Sequence, residues 1–214
     1  MLNNRLVSLW TKGNILAATN AKRQSNRWPA LLDSAASRFA EQGFHATTIR
    51  ELATATAMTP GAIYFHVPTK QALLIAVYEE GVQRIIDRVD AAVAGETRPW
   101  RRLEKAVLAH LEAILDESAY ARVVIRILPG DVPEISSELK MLRGRYEERF
   151  KSLFADLSLP PDRDADLARL FLLGAMNWTP VWYRADGGRD LEAIALELLA
   201  PLHAMLGGTA EDGR

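Results

Sequence analysis

The sequence predicts an all-α protein of about nine helices: a small N-terminal three-helix unit with helix-turn-helix dimensions, then a larger C-terminal helical unit. Three observations carry this. From Trp28 onward apolar residues recur at helical rather than alternating spacing. Helix starts and stops are written by Thr, Pro and Gly at consistent offsets. No strand-like alternation and no internal repeat interrupts the pattern.

In chain order, residues 1–25 lack helical periodicity and read as a flexible basic tail. A first helix spans about 27–42, with Leu31, Leu32, Ala35, Ala36 and Phe39 on one face and Gly43 where a left-handed C′ residue is wanted. Thr48 and Glu51 form a capping box opening a second helix over about 48–55, whose inner face is Ile49, Leu52 and Ala53. Thr59 caps a third with Pro60 at its first position, and Pro68 ends it, so it covers about 60–66. Thr69 caps the fourth, which runs through Leu73, Leu74, Val77, Tyr78, Val82, Ile85 and Ile86 to about 93. Helical patterns then fill about 99–117, 119–128, 134–157, 163–184 and 190–206, broken by Pro129-Gly130, Pro133, Pro160-Pro161 and Gly187-Gly188.

Composition narrows the chemistry. With no cysteine, disulfides, thiolate metal sites and cysteine nucleophiles are excluded. His45, His66, His110 and His203 form no HxxxH pair, so no metal site and no cofactor is expected. No membrane span or signal-peptide pattern is present, so a cytoplasmic protein without membrane association is expected. Between residues 22 and 75 six bases face three acids, a local charge of +3 in a chain of net charge −1. A basic end on a mildly acidic body suits a polyanion.

The short third helix poses the functional question. In a helix-turn-helix the second helix enters the major groove through its N-terminal part. Gly61 and Ala62 would let its backbone approach the bases, while Tyr64 and His66 offer polar tips for phosphate or base edges. Lys70 places a cation at a helix start that favours anions, which suggests an external negative charge. The alternative is that Gly61 and Ala62 permit tight internal packing and the aromatics are structural.

The runs GFHATTIRELA (Gly43–Ala53) and MTPGAIYFHVPTKQALL (Met58–Leu74) resemble the TetR family of transcriptional repressors. The family pattern G-(F/Y)-xx-(T/A)-T-(V/I)-xx-(I/L)-A, then (I/L)-Y-x-(H/Y)-(F/V), then xx-K-xx-L, is met in order and at the right spacing. The resemblance implies a TetR-type DNA-binding domain over 26–75 and a ligand-binding and dimerisation domain over 76–214. It implies DNA contacts from Thr48, Arg50, Thr59, Pro60, Gly61, Ala62, Tyr64, Phe65, His66 and Lys70, with Lys70 on the DNA backbone. Phe39, Phe44, Leu52, Ala53, Ile63 and Leu73 would form the small domain's core.

A unit this small reads few base pairs, so a homodimer on a palindromic double-stranded operator is expected. Two apolar stripes are candidates for its interface, one with Leu167, Leu170 and Gly174, the other with Ile194, Leu198 and Leu202. The alternative is packing within one subunit. The run Asn177-Trp178-Thr179-Pro180-Val181-Trp182-Tyr183-Arg184 either supplies core aromatics and a helix end or resembles a TetR branch of lipid, steroid or acyl-CoA regulators. On the second reading Phe171, Asn177, Trp178 and Trp182 contact a largely apolar small-molecule effector, unless the motif serves dimerisation rather than the pocket. Arg122 and Arg126, four apart, either hold an acidic group of that effector or form a solvated face. The expected function is a ligand-responsive repressor and not an enzyme. The competing classes are an α-helical enzyme with an apolar active site and a protein-interaction module that does not bind DNA. Tyr64, His66 and Lys70 argue against the module.

Overall fold

The computed structural model describes residues 27–116 and 118–206. These contain nine α-helices, two short 3-10 turns and no strand. The chain divides into two compact units between Val77 and Tyr78. The tail expected over 1–25 lies outside the described residues. Among those described, no helix is long and apolar enough to cross a membrane.

The first unit holds α1 (Trp28–Ala46), α2 (Ile49–Ala55), α3 (Pro60–His66) and the start of α4 (Lys70–Val93). Leu31, Ala35, Ala36, Phe39, Leu52, Ile63, Leu73 and Leu74 are fully or almost fully buried there. Phe44 joins this core through a tilted ring contact with Phe39 at 5.6 Å. Gly43 breaks α1, but at φ 84°, ψ 166° rather than in the expected left-handed helical region. Helical turns resume to Ala46, and a buried Thr47 closes the break by donating from Oγ1 to the Gly43 carbonyl at 2.9 Å.

The cap at the start of α2 is complete. Glu51 N donates to Thr48 Oγ1 at 3.2 Å, and Thr48 N to Glu51 Oε2 at 2.8 Å. These bonds hold the Glu51 carboxyl below the usual carboxylate range. α2 ends in a Schellman motif: Met58 N donates to Ala53 O at 2.9 Å and Ala57 N to Thr54 O at 3.3 Å. The positive-φ position of this motif is Ala57, at φ 50°, where glycine would be the unstrained choice.

The second unit begins at Tyr78 within α4 and adds α5 (Pro99–Leu115), α6 (Ala119–Arg126), α7 (Ser136–Ala155), α8 (Ala165–Trp182) and α9 (Leu191–Leu206). α5 is its central helix, touching α6, α7, α8 and α9, with Leu103, Ala106, Val107 and Leu111 fully buried. α6 stops at Arg126, short of the expected 128, because Pro129 keeps the chain before it extended. Pro133 likewise opens a 3-10 turn, so α7 starts at Ser136. Asp164 caps α8 by accepting from Leu167 N at 3.0 Å, and Pro180 sits inside its last turn. α4 and α6 approach closely at Gly81, where a Cβ would lie 2.7 Å from Val124 Cγ2 and 2.8 Å from the Tyr120 carbonyl.

Candidate functional site

In the first unit, α3 is anchored on one side and open on the other. Thr59 Oγ1 accepts from Ala62 N at 3.1 Å, and Ile63 is fully buried. Arg27 steadies the turn before it, donating from Nη1 to the Ala57 and Thr56 carbonyls at 2.7 and 3.2 Å. Opposite, Tyr64 is 50% and Phe65 67% exposed, and Thr59, Pro60 and Gly61 are exposed with them. Among the described residues a Cβ at Gly61 would meet nothing nearer than Thr59 Oγ1 at 4.0 Å, so their packing does not require glycine there. Arg50, in the first turn of α2, is exposed and makes no side-chain hydrogen bond or ion pair with the described residues.

Three expected DNA contacts have internal partners. The Thr48 hydroxyl serves the α2 cap. The His66 ring is half-buried against Trp28, with centroids 5.8 Å apart. Lys70 is the third. Its Nζ donates to the carbonyls of Phe44 at 2.9 Å, Thr47 at 2.9 Å and His45 at 3.4 Å, and sits 4.3 Å from the centroid of the Phe44 ring. Neutral carbonyl oxygens at the end of α1 and at its C-cap take up the ammonium, so all three of its donors have internal acceptors.

The second unit contains a narrow cavity between α4, α5, α6, α7 and α8, with room for about two water molecules. Val82, Ile85, Val124, Ile125 and Leu173 form its apolar wall, and His110, Arg143, Tyr146, Glu147 and Asn177 its polar one. His110 Nδ1 lies 2.6 Å from Tyr146 Oη. Burial brings the His110 imidazole down to about 3 and pushes the Tyr146 phenol well up, so both are neutral at pH 7. Arg143 Nη1 donates to Tyr78 Oη and to the Val124 carbonyl, each at 3.1 Å.

Of the residues expected to contact an effector, only Asn177 lines this cavity. Phe171, Trp178 and Trp182 are 55%, 63% and 38% exposed, because they occupy the face of α8 opposite its buried Leu172, Leu173 and Met176. Arg122 and Arg126 do not line it either. Sequence reasoning missed His110, Tyr146 and Arg143. The available signal was a histidine on the apolar stripe Leu103, Ala106, Val107, His110 and Ile114 of α5.

Leu167, Leu170, Phe171, Gly174, Trp178, Val181 and Trp182 recur at three- and four-residue spacing and are all exposed, forming one apolar face of α8. No atom of the described residues approaches within 4 Å of a Cβ placed on Gly174. On α9 the assignment needs correcting. Ile194 and Leu202 are buried inside the unit, Leu198 is half-buried, and the large apolar side chains exposed on α9 among the described residues are Leu196 and Met205.

Residues 31–77 match the family described as bacterial regulatory proteins, tetR family. Residues 96–206 match the tetracyclin repressor-like C-terminal domain. The HTH-type transcriptional repressor KstR2 of Mycolicibacterium smegmatis is 28% identical over 206 residues, covering 92% of this chain and 97% of the relative. Among solved structures, the superantigen PfiT superposes with TM-score 0.72 at 28% identity, covering 87% of this chain and 99% of that one. AibR in complex with isovaleryl coenzyme A and operator DNA superposes with TM-score 0.71 at 22% identity, covering 82% and 97%. The family matches are to regulators, which sets aside the α-helical enzyme.

Proposed function

This chain belongs to the TetR family of bacterial transcriptional regulators, and on that premise we propose that it is a cytoplasmic repressor that binds a palindromic operator as a homodimer and is released by a small, largely apolar effector. The observation that carries the DNA-binding part is Gly61. Nothing among the described residues needs the missing Cβ, so the bare front of α3 serves an external approach, beside exposed Tyr64 and Phe65 and the exposed cation of Arg50. Thr59, Pro60 and Ala62 position that edge, with Thr48 and His66 supporting it through the α2 cap and Trp28. We assign DNA reading to 26–75 and effector response with dimerisation to 76–214; the division after Val77 supports those bounds.

The homodimer reading is supported by the exposed apolar face of α8, with Leu196 and Met205 on α9 extending the exposed apolar surface. A face of this kind is uncommon on a free surface. The effector class is supported by the isovaleryl coenzyme A bound to AibR, which makes an acyl-CoA the first compound to test. Binding at one site releases the operator if the effector favours the conformation that holds DNA less well.

The test is a gel shift with the chain's own promoter region, repeated across an acyl-CoA series. The expected result is a discrete dimer–DNA complex, weakened by Tyr64→Ala without loss of helix content and dissolved by at least one acyl-CoA. Failure to bind that DNA above non-specific competitor, or a monomer in sedimentation at every concentration, would overturn the proposal.

A further inference from the structure

One buried polar atom of the residues lining the second unit's cavity has no hydrogen-bond partner among the described residues. His110 is 1% exposed, and its Nε2 lacks a hydrogen-bond partner. Asn177 lies near enough to favour the charged imidazole slightly, yet completes no hydrogen bond to it. The other ring nitrogen is fully engaged: Tyr146 Oη is 2.6 Å from Nδ1, and its ring stacks on the imidazole at 25° with centroids 5.3 Å apart.

The proton can be placed. The imidazole and the phenol are both neutral, so their short contact holds one hydrogen. If Nδ1 carried it, the hydroxyl hydrogen of Tyr146 would need another acceptor, and no described residue supplies one. The consistent arrangement has Tyr146 donating to Nδ1, which leaves the hydrogen on Nε2. A buried donor of a lining residue, left without a completed hydrogen bond among the described residues, is costly and rare in proteins, and points to a partner from outside.

The neighbouring charge has the same preference. Arg143 is half-buried, lines the same cavity, and donates only to the neutral Tyr78 hydroxyl and the Val124 carbonyl. The one acid among the lining residues, Glu147, faces Arg169, with Nη1 and Oε2 3.9 Å apart. We propose that His110 Nε2–H, oriented by Tyr146, recognises an acceptor oxygen, a carbonyl or carboxylate, at the inner end of an otherwise apolar effector, and that Arg143 strengthens its hold on an anionic one. This rests on the reading that the helical unit takes an effector, and adds to it the chemistry of the effector's buried end.

The experiment is calorimetric titration of the full chain with three probes of one alkyl length: octanoate, methyl octanoate and octylamine. Octanoate and methyl octanoate separate the two acceptor sources. The expected result is that at least one of them binds about tenfold or more tighter than octylamine. His110→Phe removes that preference, and Arg143→Gln weakens octanoate more than the ester. Equal binding of octylamine, or no binding of either oxygen-bearing probe up to its solubility limit, overturns the inference. Ring-nitrogen NMR of the wild-type histidines keeps it falsifiable should His110→Phe fail to fold. The expected species is a neutral His110 protonated at Nε2, whose signal moves with the bound probe; a proton on Nδ1 refutes it. Operator binding by the wild-type preparation is scored separately, so loss of the regulator reading and loss of this one are distinguishable.

Discussion

Replacing Lys70 with methionine keeps most of the side-chain volume and removes the ammonium that holds three carbonyls, those of Phe44, His45 and Thr47. Each hydrogen bond from a charged donor is worth about 1.5–3 kcal/mol when well shielded. This one is half-buried, and burial pulls its pKa below the usual lysine range, so it is desolvated in part. The carbonyls can be rehydrated when it is gone. Discounting three bonds on both grounds leaves a loss of about 2 kcal/mol. Urea denaturation followed by far-UV circular dichroism should show a lower midpoint at unchanged slope. Operator affinity measured across salt concentrations separates this role from a DNA contact. Loss of one phosphate contact would lower the slope of log affinity against log salt by about 1. The structure predicts an unchanged slope, because no donor of Lys70 is left for a phosphate. Wild-type stability together with a slope reduced by about 1 would refute the reasoning.

Three further outcomes follow from local geometry. Ala57→Gly should raise stability by about 0.5–1 kcal/mol, since relief at φ 50° exceeds glycine's added chain entropy; a lower denaturation midpoint would contradict this. Gly81→Ala should cost about 1–3 kcal/mol through the clash with Val124 and the Tyr120 carbonyl. Adding Val124→Ala should restore only part of it, because the carbonyl cannot retreat like a side chain. Burial holds His110 at about 3, below its unfolded value near 6.5, so the unfolded chain takes up a proton first as pH falls. Stability should therefore be full above about pH 6.5 and lost progressively toward about pH 3, by about 2 kcal/mol at pH 5. His110→Phe should flatten that part of the stability–pH curve relative to wild type, and parallel curves would count against it.

The helix starts at Thr48, Thr59 and Pro60 were readable because a cap bonds within three residues of itself. The role of Lys70 was not, since its acceptors lie 23 to 26 residues back along the chain. Periodicity located the apolar residues of α8 but could not orient them. Leu172, Leu173 and Met176 on one side are as apolar as Leu170, Phe171 and Trp178 on the other, so the apolar residues alone do not tell inside from outside. The same ambiguity placed Ile194 and Leu202 at an interface when they belong to the core.

By itself, the sequence determined the all-helical class, the order of the elements and the short α3 with its small leading residues. These depend on propensity, capping and spacing within a few residues. Only the tertiary structure decided that Gly61 is bare without need among the described residues, that Lys70 is engaged by the end of α1, and that His110 lines a cavity with its Nε2 unpartnered. Each of those depends on which side chains and carbonyls meet after helices distant in sequence have packed, and local pattern carries no record of that meeting.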